Sequence, residues 1–274
     1  MSRLTHLLRQ WKAARLAAAV RPEVVVATAT PEPEKAPPGP VEPAAPEPPP
    51  VAEAAPPAGP PVAIHPLLPT DAIMAIQRGT LHYRYRGRQM LKCPFDLALY
   101  TELVGDLRPG TILELGSFKG ASALWFADVL RAHGLNESRV RSLDIKPVTD
   151  IDDPMVTYGH IDLADPATWP TAAFIDGLRR PILYVDDASH QYDHVLGLLR
   201  FAHGWLRAGD YLAIEDGNID YMPGYPQHFN GGPLRAIREF LAEHPEEYRI
   251  DRRRCDFYGT NVTWNIDGYI ERVR

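Results

Sequence analysis

Carboxylates and a histidine crowd one stretch of the chain, residues 181–218, which reads PILYVDDASHQYDHVLGLLRFAHGWLRAGDYLAIEDGN. Two short apolar runs, 182–185 and 211–214, end in paired acids, Asp186-Asp187 and Glu215-Asp216, and His190 follows Asp187 by three positions. Asp187, Glu215 and Asp216 offer the hard oxygens that Mg²⁺ or another hard divalent cation prefers, and no Cys/His set suggests zinc. Successive strand residues point to opposite faces. Glu215 and Asp216 can therefore both be ligands only if the strand ends between them; otherwise one of the two partners a helix or loop. His190 is read as beginning a helix just after Asp187, within reach of the same space as a general base; the alternative is a helix-surface histidine. His194, one turn further on, reads as a helix-surface residue.

A second constellation lies upstream. Glu114-x-Gly116-xxx-Gly120 stands where an apolar run turns into a helical pattern. Glycines let a backbone approach a ligand closely, and a helix start offers free N–H groups. The bland alternative is a tight strand-to-helix joint. The spacing is not the dinucleotide fingerprint, because Phe118 holds the place of its central glycine. Asp144 ends the next strand, where an acid can accept both hydroxyls of a ribose; the alternative is a capping or solvated acid.

The elements that must position these residues follow from periodicity. Short runs rich in β-branched and aromatic residues suit buried parallel strands. Such strands are expected at 111–115, 140–146, 155–161, 182–185 and 211–214. Helical spacing predicts helices over 94–107, 121–132, most of 166–178, the stretch around 195–206 and 233–244. Residues 80–93 read as a β-rich or loop segment. Two last strands, around 247–258 and 261–273, are expected to form an antiparallel hairpin through Gly259-Thr260. The fold class is α/β: a Rossmann-like sheet with helices on both faces and a C-terminal antiparallel hairpin. Ligands bind beyond the carboxyl ends of such parallel strands, where both constellations fall.

Composition sets the outer limits. The chain has 274 residues and a formal charge of −6, which argues against nucleic acid as a partner. Its two cysteines form no ligand pattern and fit a reducing compartment. No apolar stretch approaches the roughly 18 residues of a membrane span, and no signal peptide is recognisable, so the expected location is cytoplasmic. Residues 1–21 hold five basic residues and no acid, with Leu4, Leu7, Leu8 and Trp11 on one helical face. That pattern suits a basic amphipathic helix docking weakly on an anionic membrane surface or a protein, a helical tail without a role, or a transit peptide. Residues 22–69 hold 17 of the 28 prolines, mixed with Ala and Glu, and read as a disordered linker. The folded domain is thus expected over 70–274.

Taken together, MLKCPFDLALYTELV, ILELGSFKGASALWFADVL, SLDI, VDDASHQYDHVL, YLAIEDGN, GGPLRAIREFL and TWNIDGYIERV resemble the cephalosporin-hydroxylase-like and rhamnosyl O-methyltransferases. The match is more distant to the metal-dependent macrolide sugar O-methyltransferases. It runs from about residue 84 to the C-terminus. The resemblance implies a class I fold that binds S-adenosyl-L-methionine, with Glu114, Gly116, Ser117 and Gly120 at its methionine side, Asp144 at its ribose and Asp186 in the same cofactor set. It implies Mg²⁺ at Asp187, Glu215 and Asp216, and His190 as catalytic base. The implied reaction is O-methylation of a sugar, glycoside or small natural product by a homo-oligomer. A cation on two vicinal oxygens would lower the hydroxyl pKa and fix its position. The aromatics of 219–230 would cover the acceptor, with Gly224 and Gly231-Gly232 allowing movement. Two other readings stand beside it: a tailoring protein assisting an oxidative step, and a non-catalytic scaffold that binds S-adenosylmethionine.

Overall fold

The structure is a computed structural model that describes residues 66–274. The helix expected over 1–21 and nearly all of the linker expected over 22–69 lie outside the described residues. The first described helix, α1, is Thr70–Thr80 and buries Ile73. Strands β1 (Arg84–Tyr85) and β2 (Arg88–Gln89) form a small antiparallel hairpin. Its turn residues, Arg86 and Gly87, both have positive φ, the twist that two-residue hairpin loops favour. Helix α2 (Pro94–Leu107) starts with proline, whose missing N–H costs nothing in a first turn, and stops at Arg108 in the left-handed region.

The main sheet then builds in βα steps. β3 is Thr111–Leu115, α3 Ala121–Ala132, β4 Arg139–Asp144, β5 Val156–His160, α4 Ala172–Asp176, β6 Ile182–Asp186, α5 Tyr192–His203 and β7 Tyr211–Ile214. After β7 come α6 (Tyr225–His228), α7 (Gly232–Glu243), β8 (Tyr248–Ile250), α8 (Arg252–Cys255) and β9 (Tyr269–Arg272). The seven strands lie in the order β5-β4-β3-β6-β7-β9-β8. The first five are parallel, and β9 runs antiparallel to both β7 and β8. Strand order reverses between β3 and β6, so the crevice for a ligand opens at their carboxyl ends.

Alternation along the strands feeds two cores. Ile112, Val140, Leu183, Val185 and Ala213 face Tyr100 and Leu103 of α2 and Phe126 of α3. Leu113, Leu115, Ile182, Tyr184, Leu212 and Ile214 face Val195 and Leu199 of α5 and Ile237 and Phe240 of α7. Each fully buried aliphatic side chain contributes about 1.5–3 kcal/mol, so these layers hold the acid-bearing strand ends at fixed spacing.

Three expectations about local structure are corrected. The stretch 166–178 is not mostly helix: a 3₁₀ turn, Pro166–Thr168, precedes the short α4, whose start is capped by the Thr171 hydroxyl accepting from Phe174 N. Pro170 divides the two, because a residue before proline is driven out of the helical region. The last two strands do pair antiparallel, but residues 251–268 rather than a Gly259-Thr260 turn join them. That long connection is held under α2, where buried Asp96 accepts from Trp264 N at 2.9 Å and from the Thr263 hydroxyl. Finally, His190 stands before α5 rather than in it, with φ +57°.

Candidate active site

The parallel strands deliver acids to one edge. Asp144 and Asp186 are the last residues of β4 and β6, Glu114 is the penultimate residue of β3, and Asp187, Glu215 and Asp216 lie just past β6 and β7. Glu215 and Asp216 both follow the end of β7, and Asp216 has φ +60°. The pleat therefore no longer dictates where their side chains go.

Asp187, His190 and Asp216 converge. His190 Nε2 lies 3.3 Å from Asp216 Oδ2 and 3.8 Å from Asp187 Oδ1. One donor atom from each of the three lies within 4.8 Å of the others. The left-handed backbone of His190 turns its ring toward the acids, and Phe229 closes one side with its ring centroid 6.2 Å away.

Glu215 is joined to this group indirectly, through Lys92. Lys92 is buried, and its Nζ donates to Asp187 Oδ2 at 2.9 Å and to Glu215 Oε1. The Tyr100 hydroxyl donates to the same Oε1 at 2.7 Å. Burial works against the Lys92 ammonium, but Asp187, Glu215 and Glu114 outweigh it and hold its pKa above the ordinary lysine value. Burial and then Asp187 push Glu215 upward, while Lys92 and Tyr100 pull the other way by favouring the carboxylate.

The glycine turn has a packing reason of its own. A Cβ on Gly116 would stand 2.2 Å from Asp187 O, and one on Gly120 would meet Ile151 and Tyr158. Both φ angles are positive. The turn is thus a close joint between β3 and its neighbours, in addition to any contact with a ligand. Glu114 is fully buried; the Ser142 hydroxyl donates to its Oε2, and Ser142 also pairs with Ser117 at 2.6 Å. Asp144 accepts from Phe118 N at 2.8 Å and Lys146 N at 2.9 Å, which fixes its carboxylate over the start of the turn. Asp186 takes only a long bond from Ala188 N, 3.3 Å, and burial pushes its pKa up to about 7. Strand alternation sets Asp186 and Glu114 on opposite faces of the sheet, since Glu114 pairs with Val185 and not with Asp186.

His194 is half-buried rather than on the open surface. Its Nδ1 pairs with the Ser189 hydroxyl at 2.7 Å, and burial lowers its pKa. In the loop expected to cover an acceptor, Phe229 and Met222 are buried, while Tyr221 and Tyr225 remain partly exposed. Asp220 in the same loop carries a pKa raised by burial to about 6, with Arg238 opposing. An acid with a raised folded pKa favours the fold below its ordinary value of 3.8, and that contribution is lost as pH rises through about 6. Asp220→Asn should therefore melt above the parent at pH 8 and level with it at pH 4, as calorimetric scans at the two pH values would read.

Lys92 and Tyr100 were not legible as site residues. Tyr100 shares a helix face with Leu99 and Leu103 and reads as core. Lys92 stands in an apolar run, Met90-Leu91-Lys92-Cys93; a charge so flanked, just before a helix-starting proline, is the one local hint that it is buried.

The rhamnosyl O-methyltransferase/CmcI family model matches residues 77–273. A rhamnosyl O-methyltransferase of Mycobacterium leprae is 31% identical over 195 residues, 69% of this chain and 82% of that protein. One of Mycobacterium bovis is 30% identical over 64% of this chain and 73% of its own length. A CmcI structure determined with Mg-SAM is 27% identical, with a TM-score of 0.50, covering 71% of this chain and 78% of that one. A CmcI apo-structure, 24% identical with a TM-score of 0.54, covers 79% of this chain and 90% of that chain and shares its fold. Extent of match and order of motifs agree: the chain belongs to the rhamnosyl O-methyltransferase/CmcI family.

Proposed function

We propose that this protein transfers the methyl group of S-adenosylmethionine to a hydroxyl of a sugar or small natural product, with a hard divalent cation at its acid cluster. The observation that carries the proposal is the convergence of His190 with Asp187 and Asp216 beside the switch-point crevice. The donor set fits a cation: carboxylate oxygens of Asp187 and Asp216 lie within 4.8 Å of each other, with the His190 imidazole beside them for the proton. The crevice also fits a cofactor that brings donors. Asp186 Oδ2, at the end of β6, is buried and has no hydrogen-bond partner among the described residues, and a buried polar atom left so is costly.

Asp187 and Asp216 would hold the cation, with Glu215 behind them, and Glu114, Gly116, Ser117, Gly120, Asp144 and Asp186 would line the cofactor side. Bound S-adenosylmethionine supplies an electrophilic methyl on its sulfonium, and a bound cation acidifies and orients an acceptor hydroxyl. S-adenosylmethionine would supply the methyl carbon of the new C–O bond and would leave as S-adenosylhomocysteine. The hydroxyl proton goes to His190 Nε2. Asp187 and Asp216 stabilise the imidazolium that forms. Phe229 walls His190 off from water on one side, which keeps the proton transfer local.

Rhamnosyl glycosides are the first acceptors to try, because the curated relatives carry that name. Protein incubated with methyl-labelled S-adenosylmethionine should label such a glycoside, and chelation should stop it. Full activity after chelation would remove the cation from the mechanism. Asp144→Ala should weaken S-adenosylmethionine binding by about 1–3 kcal/mol through the lost charged acceptor. Calorimetry giving tighter binding of NAD than of S-adenosylmethionine would overturn the methyltransferase reading.

The same reading takes the folded domain as 70–274 and the active form as a homo-oligomer. A chain truncated before Thr70 should melt cooperatively, and light scattering should give a mass above one chain. Among the described residues no helix is long and apolar enough to cross a membrane.

A further inference from the structure

Lys92 is a charged side chain 2% exposed, and it makes ion pairs to Asp187, proposed to hold the cation, and to Glu215 behind it. Its ammonium lies between Asp187 and Glu215, carboxylates from the ends of two neighbouring strands. Like charges held this close in a buried site repel strongly, and uncompensated buried charge is severely destabilising. The Tyr100 hydroxyl is a neutral donor and cannot balance a charge. Lys92 arrives from the stretch between β2 and α2, and α2 is bonded to the sheet edge through Asp96 and Tyr100. The ammonium is thus placed rigidly, not offered by a mobile surface chain.

We propose that Lys92 is the resident counter-charge of the acid cluster, a positioning residue that keeps Asp187 and Glu215 together whether or not a cation is bound. Three carboxylates, Asp187, Glu215 and Asp216, then carry the charge balance of two, which suits a divalent ion. Lys92 also occupies Asp187 Oδ2 and Glu215 Oε1, so Asp187 turns its other oxygen, Oδ1, toward His190 and Asp216. Two consequences follow. The fold around the site does not depend on the metal, and the site is weaker for cations, above all trivalent ones, than its acids alone would make it.

The inference rests on the proposed cation site, and the test separates the two. Melting temperatures of the full chain are measured in chelator, in Mn²⁺ and in Tb³⁺ for the parent, Lys92→Met and the double variant Lys92→Met/Glu215→Gln. In chelator, Lys92→Met should melt well below the parent. The double variant, which removes one negative charge along with the positive one, should recover much of that loss. Adding Mn²⁺ should raise the melting temperature of Lys92→Met more than that of the parent, and Tb³⁺ more again. A tenfold gain in affinity corresponds to about 3–6 °C at saturating metal. A Lys92→Met chain that folds only with metal present supports the proposal outright. A double variant no more stable in chelator than the single one overturns it, as does a metal-induced rise equal to or smaller than the parent's. If the parent shows no rise with Mn²⁺ or Tb³⁺, the cation site itself fails, while the comparison in chelator still decides the counter-charge.

Discussion

Replacing His190 by alanine should slow methyl transfer by about 10²–10⁴-fold, the usual worth of a positioned general base. The motivation is geometric: His190 is the one imidazole in the Asp187/Asp216 cluster, and its backbone is held at φ +57° to face it. Binding of S-adenosylmethionine, read by calorimetry, should change little, because the glycine turn and Asp144 belong to other strands. Part of the lost rate should return at higher pH, where more of the acceptor hydroxyl ionises unaided. His190→Asn is the companion variant, since asparagine tolerates the left-handed region. It should melt near the parent and be as slow as the alanine variant. A fully active His190→Ala would remove the base from the mechanism. Rate losses that simply track melting temperature would reduce His190 to a packing residue.

The second large effect concerns the fold beneath the site. Gly116→Ala would place a Cβ 2.2 Å from Asp187 O and 2.6 Å from its carbonyl carbon, at φ +105°. Neither backbone segment can yield freely: Gly116 N bonds Leu143 O at 2.7 Å, and Asp187 N bonds Leu115 O at 2.9 Å. Backbone strain and overpacking each cost about 1–3 kcal/mol, so the variant should lose about 2–5 kcal/mol, or roughly 5–15 °C in melting temperature. Gly134→Ala is the control: its φ is +70°, but nothing stands within 4 Å of its added Cβ. It should lose about 1 kcal/mol from backbone strain alone. Equal losses in the two variants would show that the approach of Gly116 to Asp187 is not the constraint.

Gly116 and its neighbour Gly120 illustrate how far sequence reaches. A glycine after a strand and before a helix signals a special joint, and Gly116 and Gly120 were legible as such. The sequence could not say whether the missing side chain makes room for a ligand or for the protein's own backbone. Asp187 O is far along the chain from Gly116, and only the pairing of β3 with β6 brings it there.

Local pattern alone determined the five parallel strands, the helices after β3 and β6 and the acids at the strand ends, but not the stretch 166–178, where only Ala172–Asp176 is α-helix. Apolar runs, helical spacing and strand-ending carboxylates are properties of neighbouring residues, and burial by either face enforces them. Most of 251–268 was expected to belong to the last two strands, around 247–258 and 261–273, although it carries Arg252, Arg253, Arg254 and Asp256. Its backbone is instead tied to Asp96, 168 positions from Trp264. The same reason hid the partners of Glu215. Lys92 lies 123 positions away in the chain and Tyr100 lies 115 positions away. Their convergence depends on how α2 seats against the sheet, and no periodicity records it. Tertiary packing also turned His190 out of the helix expected for it and into a left-handed loop position. The types of the reactive groups were therefore set by the sequence. Which acids face one another was decided by the pairing of β6 with β7, and which face Lys92 by how α2 seats against the sheet, because contacts between segments distant in the chain leave no local signature.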